Sequence, residues 1–160
     1  MFRSGIGYDI HPFKQGRQLI LGGIEIPHPR GLEGHSDADV LSHAIADALL
    51  GAIGARDIGH HFPNDDESIR GISSLEILKR TRELLRQRNF RVLNVDATII
   101  AQEPKISPYL DVMREKISSA LAMKTSCLGI KATTNEGLGA LGRGEGIAAL
   151  AVATVQQELA

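Results

Sequence analysis

The sequence predicts an α/β fold of the α+β-like kind. We expect a single domain over residues 1–160, with a mixed four-stranded sheet covered by helices on one face and a small N-terminal hairpin. A chain of 160 residues suits one domain that buries a core without disulfides. Strand-like stretches of alternating apolar and polar residues are interleaved with stretches of helical periodicity, and no internal repeat occurs. Interleaving of this kind favours helices packed on a sheet.

The N-terminal part predicts a strand and then a hairpin. Residues 2–10 have the composition of a strand. Gly22 and Gly23 separate two short apolar runs within residues 18–26. Because a Gly-Gly turn adopts positive φ at little cost, this segment predicts a two-stranded hairpin. Residues 27–34 contain two prolines and two glycines and are interpreted as a loop.

A long amphipathic helix is predicted next. Apolar residues recur at helical spacing as far as Ile53, with Ser36 as the predicted N-cap and Asp39 in the capping-box position. Residues 54–71 show no periodicity and are too polar and too long for a simple connection. They predict a functional loop.

The second half of the chain alternates between helix and strand patterns. Its predicted elements are a helix from Ser74, a strand over 92–101, a helix that begins at Ser107-Pro108 and ends near Met123, a strand over 127–134 and, after the glycine-rich residues 137–146, a strand over 147–156.

Composition and charge narrow the functional class. The net charge is -1, 4% of the residues are aromatic and no basic run is present, so we expect no nucleic-acid partner. No apolar run approaches the length of a bilayer span, so we expect no membrane partner. Cys127 is the one cysteine, which favours a reducing compartment. Because the N-terminus resembles neither a signal peptide nor a transit segment, we expect a cytoplasmic protein.

Two clusters of Asp and His predict a metal site. Asp9 and His11 are two residues apart, so on a strand their side chains share a face. His43, between Asp39 and Asp47 on the predicted helix, is placed to complete the set. One carboxylate and two imidazoles would suit Zn²⁺ with an open fourth position, and either flanking Asp could orient the second ring nitrogen of His43. The alternative is a surface strand end beside an exposed helical histidine.

Two further segments suggest contact with phosphate. His35 and Ser36 lie at the predicted helix N-terminus, where free N–H groups favour an anion. Thr133, Thr134 and Glu136 lie at a strand end, where the carboxylate could hold Mg²⁺ beside a diphosphate. Ordinary helix capping and a polar turn are the alternatives.

The glycine-rich residues 137–146 match neither a Walker loop nor a dinucleotide fingerprint, because the required Lys-Ser/Thr pair and the strand-turn-helix context are missing. Arg143 could contact a phosphate. A tight hairpin, in which glycines allow close approach of two backbones, remains equally open.

A series of short motifs extends in order over nearly the whole chain. They are Gly7-Tyr8-Asp9-Ile10-His11, Leu21-Gly22-Gly23, His35-Ser36-Asp37-Ala38-Asp39-Val40 with His43 on the following helix, Asp57-Ile58-Gly59, Phe62-Pro63, Asn94 to Lys105, Lys131-Ala132-Thr133-Thr134-Asn135-Glu136 and Gly142 to Ala148. Taken together, these motifs resemble the 2-C-methyl-D-erythritol 2,4-cyclodiphosphate synthase family. The resemblance implies cyclisation of 4-diphosphocytidyl-2-C-methyl-D-erythritol 2-phosphate with release of CMP, in non-mevalonate isoprenoid biosynthesis.

The resemblance also implies roles for individual residues. It gives Asp9, His11 and His43 as ligands of one Zn²⁺ per subunit, and Glu136 as the ligand of Mg²⁺ or Mn²⁺ on the substrate diphosphate. It gives His35 and Thr134 as catalytic residues that stabilise the transition state. It places the remaining substrate contacts at Ser36, Asp57, Gly59, Phe62, Asp66, Ala101, Pro104, Lys105, Ile106, Ser107, Thr133 and Arg143, with ribose at Asp57 and Gly59 and cytosine in the loop 101–107.

Two positions depart from the family pattern. Asn64 stands where Asp is common, and Ala140 stands where an aromatic residue is common near the central channel of a trimer. Because Ala140 lacks the aromatic ring, no isoprenoid-like ligand is assigned to that channel.

The resemblance implies a homotrimer with active sites between subunits. The last strand supports this independently, because residues 147–153 are apolar on both faces and one face needs a cover. Two other functions fit the same residues. One is a zinc phosphohydrolase that acts on a nucleotide-linked substrate, and the other is a non-catalytic trimeric nucleotide-binding module.

Overall fold

The computed structural model describes residues 1–63, 65–67 and 71–158. Asn64 and residues 68–70, which belong to the predicted functional loop, therefore lie outside the described residues. The strands are β1 (Phe2–Gln15), β2 (Leu19–Leu21), β3 (Ile24–Ile26), β4 (Arg30–Leu32), β5 (Phe90–Ile100), β6 (Leu128–Thr133) and β7 (Gly146–Gln157). The helices are α1 (Val40–Ala52), α2 (Ile58–His61), α3 (Ser74–Gln87), α4 (Leu110–Leu121) and α5 (Gly139–Gly142), with 3₁₀ turns at Ser107–Tyr109 and Thr125–Cys127.

Within the described residues, five strands form the main sheet in the order β4-β1-β7-β5-β6. Strands β5 and β6 pair in parallel and the other neighbours pair antiparallel, so the predicted mixed sheet is confirmed. The predicted hairpin is also confirmed as β2 and β3, with Gly22 and Gly23 at positive φ.

The predicted strand count of four was wrong. The first strand continues past Ile10 to Gln15, and its far end pairs with β4, where Phe13 lies opposite Leu32. Residues 30–32 carry no strand pattern of their own and were interpreted as part of a loop. They form a strand because the extension of β1 offers them unpaired backbone groups.

Helix α1 lies directly on β1 because two glycines of the strand have no side chain. A Cβ added at Gly7 would lie 1.9 Å from the carbonyl oxygen of Ala44, and one at Gly5 would lie 2.2 Å from that of Ala48. Both distances are far inside van der Waals contact. The close approach brings residues of the strand's helix-facing side next to residues of α1.

The start of α1 differs from the prediction. The helix begins at Val40, and its N-cap is Asp39, whose Oδ1 accepts a hydrogen bond from the backbone N–H of Ser42 at 3.1 Å. Ser36 is therefore not the N-cap. Ala38, at φ 57°, turns the chain between Ser36 and the helix, a left-handed conformation that the apolar spacing does not signal.

Two short helices interrupt segments that were predicted to be irregular. Helix α2 lies within the predicted functional loop, and α5 lies within the glycine-rich residues 137–146. Each has four residues, which is too short to produce a periodic pattern. The helix predicted from Ser107 begins as the 3₁₀ turn and continues as α4.

One face of the sheet is packed against helices and the other carries exposed apolar side chains. Alanines of β7 on the helix side, such as Ala151 and Ala153, are buried. On the opposite side the exposed residues are Ile6 at 67%, Tyr8 at 53%, Ile10 at 46%, Leu150 at 40% and Val152 at 45%. Their positions match across the strands, since Ile6 pairs with Val152 and Tyr8 with Leu150. We call these five residues the apolar sheet face.

No helix in the described parts of the chain has both the length and the apolar character needed to cross a membrane.

Candidate functional site

The predicted group of Asp9, His11 and His43 comes together where β1 meets α1. The Oδ2 atom of Asp9 lies 3.0 Å from His11 Nε2 and 3.0 Å from His43 Nδ1. One ligand atom from each residue falls within 4.8 Å of the others, a spacing that a metal ion could bridge. Asp9 and His11 share the helix-facing side of β1, which confirms the prediction from their spacing. We call these three residues the metal group.

Contacts within the metal group favour the ionised form of the Asp9 carboxylate. Burial alone would raise the pKa of Asp9, but hydrogen bonds from His11 and His43 hold this pKa well below its ordinary value. Burial likewise opposes the charged form of His43, but the hydrogen bond to Asp9 raises the pKa of this imidazole. A carboxylate that is ionised over the whole physiological pH range is a suitable anionic ligand for a cation.

The second ring nitrogen of His43 contacts two serine hydroxyls. Its Nε2 lies 3.1 Å from Ser36 Oγ and 3.0 Å from Ser74 Oγ. The sequence pointed instead to Asp39 or Asp47 as its partner, and that prediction was wrong.

Both aspartates have other partners. Asp39 is fully buried, and its Oδ2 accepts from Gly23 N at 2.8 Å and from Ser42 Oγ at 2.7 Å. Burial raises the pKa of Asp39, and these donors oppose that shift. Asp47 Oδ1 accepts from Ile58 N at 2.7 Å and so connects α1 to α2. Helical spacing places a side chain on a face but does not reveal such partners from distant segments.

A cavity of about 580 Å³ opens over the metal group. Its size falls in the range of small-molecule sites. The predicted site residues that line it are Asp9, His11, His35, Ser36, His43, Gly59, Phe62 and Asp66. Asp57 adjoins this set, because a Cβ added at Gly59 would lie 3.4 Å from Asp57 Oδ1. Asp57 also caps α2, where its Oδ1 accepts from His60 N at 2.9 Å.

Arg17 is a cavity residue that sequence reasoning missed. Its Nη1 donates to Gly34 O and its Nη2 to Ser36 O, each at 2.7 Å, so one guanidinium holds both ends of the segment that carries His35. Nothing in the local pattern around Arg17 signals this role, because its partners lie 17 and 19 residues further along the chain. Ser74 was likewise treated only as the start of a helix.

The remaining predicted site residues lie at the ends of β5 and β6. Thr134 Oγ1 donates to Glu136 Oε1 at 2.9 Å and accepts from Glu136 N at 3.3 Å. The backbone N–H of Ala101 donates to Thr133 O at 2.9 Å, which joins the loop 101–107 to this strand end. Thr133, Thr134 and Glu136 form what we call the strand-end group.

The loop 101–107 is anchored at both ends and tied across its middle. Ala101 and Ile106 are buried, whereas Lys105 and Ser107 are exposed and Pro104 is half-buried. In this loop, Glu103 Oε1 accepts from Arg30 Nη2 at 2.7 Å.

The same Arg30 atom reaches Gly144 O at 3.2 Å. Arg143, the neighbour of Gly144, directs its Nε to Glu145 Oε1 at 2.6 Å. Arg30 therefore connects the loop 101–107 to the glycine-rich turn.

The metal group and the strand-end group lie at the same end of the sheet but far apart within one chain. His11 pairs with Ile147 of β7, the next residue Ala148 pairs with Ile100 of β5, and Ile100 pairs with Thr133 of β6. Three strand spacings separate β1 from β6, which amounts to about 14 Å. The fold thus brings the predicted site residues together as two groups.

Comparison with known proteins points to one family. The model of the YgbB family matches residues 2–156. A protein of Alkaliphilus metalliredigens named 2-C-methyl-D-erythritol 2,4-cyclodiphosphate synthase is 56% identical over 157 residues, which is 98% of this chain and 99% of that protein. A protein of the same name from Akkermansia muciniphila is 58% identical over 153 residues, covering 95% of this chain and 90% of its own length.

Solved structures agree in fold. The complex of IspF from Plasmodium falciparum with CDP matches with a TM-score of 0.86 and 35% identity, over 99% of this chain and 97% of that one. The bifunctional IspDF of Campylobacter jejuni matches with a TM-score of 0.94 and 37% identity, over 99% of this chain and 43% of that longer chain. Both likenesses extend over nearly all of the present chain.

Proposed function

The chain belongs to the YgbB family, and on that premise we propose how its residues carry out the reaction of a 2-C-methyl-D-erythritol 2,4-cyclodiphosphate synthase. It converts 4-diphosphocytidyl-2-C-methyl-D-erythritol 2-phosphate to the cyclic diphosphate and releases CMP, in non-mevalonate isoprenoid biosynthesis. By reaction class it is a phosphorus–oxygen lyase. The observation that carries this function is a cavity whose wall holds Asp9, His11 and His43 in a chain 56% identical to a named synthase over almost its full length.

The reaction is an intramolecular phosphoryl transfer. An oxygen of the 2-phosphate attacks the β-phosphorus, the bond from that phosphorus to the bridging oxygen breaks, and CMP leaves with the bridging oxygen. Both partners are anionic phosphates, so the barrier consists largely of charge repulsion and positioning. A protein lowers such a barrier with fixed donors and cations and needs no side-chain nucleophile.

The metal group fits a zinc ion. Its donors are one carboxylate and two imidazoles, the types that Zn²⁺ prefers, and three protein ligands leave a position open for substrate. When bound, one Zn²⁺ per subunit at Asp9, His11 and His43 and one Mg²⁺ or Mn²⁺ at Glu136 supply positive charge to the phosphate oxygens.

The two catalytic residues come from different groups. His35 lies in the cavity wall beside Ser36, and Arg17 holds the backbone on both sides of it. The Thr134 hydroxyl is exposed at the strand end. In our proposal, the His35 imidazole and the Thr134 hydroxyl donate hydrogen bonds to phosphate oxygens as negative charge moves towards the leaving CMP.

Further contacts are proposed for the rest of the substrate. Asp57 and Gly59 bind the ribose, while Phe62, Asp66 and Thr133 complete the walls around the diphosphate and the methylerythritol. Cytosine occupies the loop 101–107, where Pro104 and Ile106 shape the backbone and Lys105 and Ser107 flank the base. Ser36 and Arg143 contact phosphate.

We further propose that the active unit is a homotrimer with each site shared between neighbouring chains. Two observations support this. The apolar sheet face, with Ile6, Tyr8 and Val152, is exposed in an isolated chain, and contiguous apolar surface of this kind is typical of an interface. In addition, the roughly 14 Å between β1 and β6 is too far for Thr134 to reach a phosphate at the metal group of its own chain.

The single cysteine favours action in the cytoplasm.

Phosphorus NMR tests the reaction. The protein is incubated with the diphosphocytidyl substrate, Zn²⁺ and Mg²⁺, and we expect a cyclic diphosphate and CMP in equal amounts. Release of inorganic phosphate would support a zinc phosphohydrolase on a nucleotide-linked substrate. An unchanged substrate spectrum together with saturable binding would support a non-catalytic nucleotide-binding module.

Mixed oligomers test the shared site. His43→Ala and Thr134→Ala chains, each inactive alone, are unfolded together and refolded. If one site uses His43 of one chain and Thr134 of the next, part of the activity returns. A monomer by light scattering at the assay concentration, or inactive oligomers shown by mass spectrometry to contain both chains, would contradict the shared site.

A further inference from the structure

The hydroxyl of Ser74, at the start of α3, has partners on both sides. It donates to Asp37 Oδ1, and it lies 3.0 Å from His43 Nε2. Ser74 is fully buried, so both contacts are shielded from water. We propose that Ser74 is a positioning residue for the metal site, which with Asp37 fixes the ring of His43 so that Nδ1 faces Asp9.

The direction of the hydrogen bonds follows from the single proton of the Ser74 hydroxyl. The hydroxyl donates this proton to Asp37 Oδ1. Towards His43 the same oxygen can then only accept, and Nε2 must carry the proton. With Nε2 held by this acceptor, Nδ1 is the ring nitrogen on the side of Asp9, whose Oδ2 lies 3.0 Å away.

Asp37 is itself held in place by the backbone. Its Oδ2 accepts from Ser74 N at 2.8 Å, and its Oδ1 accepts from Asp39 N at 3.2 Å. In the part of the chain that the structure describes, the Ser73 side chain makes no capping bond to α3, so Asp37 takes the place of a cap. The Ser74 hydroxyl therefore meets a preorganised acceptor.

Backbone contacts reinforce this arrangement. Gly71 N donates to His35 O at 3.1 Å, and Asp37 N donates to Ile72 O at 3.3 Å. The start of α3 is thus tied to the segment that carries His35, and the Ser74 hydroxyl extends this connection to His43 on α1. Partners of this kind, which hold the second nitrogen of a metal-ligating histidine, raise metal affinity because they fix tautomer and ring orientation.

Ser36 does not make Ser74 redundant. The Ser36 hydroxyl also lies 3.1 Å from His43 Nε2, and it accepts a hydrogen bond from Ala38 N at 3.1 Å. However, Ser36 lines the open cavity, whereas Ser74 is enclosed and bonded to a carboxylate. The fixed acceptor for the Nε2 proton is therefore Ser74.

The test measures zinc affinity of the full-length protein. Wild type, Ser74→Ala and Ser118→Ala are stripped of metal and titrated with Zn²⁺ against a chromogenic chelator. Ser118 is the matched control, because it is also a buried helical serine but its hydroxyl has no hydrogen-bond partner among the described residues. We expect Ser74→Ala to bind Zn²⁺ about 10- to 100-fold more weakly and Ser118→Ala to match wild type.

A separate readout distinguishes positioning from a general role in stability. Ser74→Ala keeps the backbone N–H that bonds to Asp37, so circular dichroism of the metal-free protein should show an intact fold. The visible spectrum of the Co²⁺-substituted protein should change in Ser74→Ala and not in Ser118→Ala. A folded Ser74→Ala protein with zinc affinity within about twofold of wild type would overturn the inference.

If Ser74→Ala does not fold, the Asp37→Asn variant tests the inference instead. A neutral amide is a weaker acceptor than a carboxylate, so zinc affinity should fall in the same direction but less. Unchanged affinity in a folded Asp37→Asn protein would overturn the inference. The inference rests on the proposed metal site, and a wild-type protein that binds no Zn²⁺ would overturn both. A protein that binds Zn²⁺ but forms no cyclic diphosphate would contradict the proposed reaction alone.

Discussion

The metal group and the strand-end group differ in how the fold holds them. Side chains of the metal group are 26% exposed for Asp9, 20% for His11 and 12% for His43, and their contacts connect β1 to α1 and α3. Thr134 and Glu136 are exposed, and their mutual hydrogen bonds join residues two apart in sequence.

This difference shows which contacts hold each of the two groups in place. The metal group is assembled by packing within one chain, because α1 lies on glycines of β1 and places His43 above Asp9. The strand-end group is held in the sheet through the backbone of Thr133, whereas the side chains of Thr134 and Glu136 bond to each other and are exposed. In a homotrimer it would gain its remaining partners from a neighbouring chain.

The largest effect is expected from removing a ligand of the metal group. In His43→Ala, zinc content should fall from about one ion per chain to near zero, because two protein ligands do not hold Zn²⁺ tightly. Synthase activity should become undetectable with it. Metal analysis by mass spectrometry after gel filtration checks this, and full zinc occupancy in both His11→Ala and His43→Ala would show that the ligand assignment is wrong.

The next largest effect should come from the strand-end group and leave zinc untouched. Thr134→Ala should lower kcat by about 100- to 1000-fold, the usual cost of losing a donor to developing charge. Glu136→Gln should also lose turnover, because an amide is a poor ligand for Mg²⁺. Steady-state kinetics measures the turnover of both variants, and metal analysis measures their zinc content. Retained turnover of Glu136→Gln with an unchanged Mg²⁺ dependence would remove Glu136 from the site.

A third prediction concerns the packing that assembles the metal group. Gly7→Ala should lower the free energy of unfolding by about 1–3 kcal/mol, because the new methyl group overlaps the backbone of α1 at Ala44. Gly51→Ala is the control, since the residue is helical and the nearest described atom outside its own helix, Ile6 O, would lie 3.8 Å from the new Cβ. It should leave stability unchanged or raise it by up to about 1 kcal/mol. Urea unfolding followed by circular dichroism measures both, and equal stability of the two variants would contradict the close packing.

The smallest effect should come from the exposed ion pair next to the strand-end group. Glu103→Gln should raise KM for the substrate by less than about fivefold and leave zinc content unchanged, because an exposed pair contributes about 1 kcal/mol at most. Arg114→Gln, which breaks the exposed pair with Asp111 on α4, is the control and should leave KM unchanged. A KM that rises equally in both variants would argue against a role for Arg30 and Glu103 in holding the loop 101–107.

The parts of the fold that were predicted correctly depend on local patterns. Two-residue alternation indicated β5, a continuous apolar run indicated β7, the Gly-Gly pair indicated the hairpin, and helical spacing indicated α1 and α3. The candidate metal ligands were found for the same reason, because Asp9 and His11 are related by the period of a strand and His43 lies between two aspartates on a polar stripe of the predicted helix. Family motifs supplied the strand-end residues, whose local pattern alone is that of a polar turn.

The sequence by itself thus determined the mixed α/β class, the order of the main elements and the identity of the residues that form the metal group. These depend on periodicities of two and 3.6 residues and on short motifs, which are visible within a few positions. Tertiary structure alone decided that residues 30–32 add a fifth strand, that Asp39 rather than Ser36 caps α1, and that Ser74 contacts His43 across 31 positions of chain. It also set the strand order that keeps the strand-end group three strands from the metal group. The physical reason is that a hydrogen bond between distant segments depends on which surfaces pack together, and no local spacing in the chain encodes that.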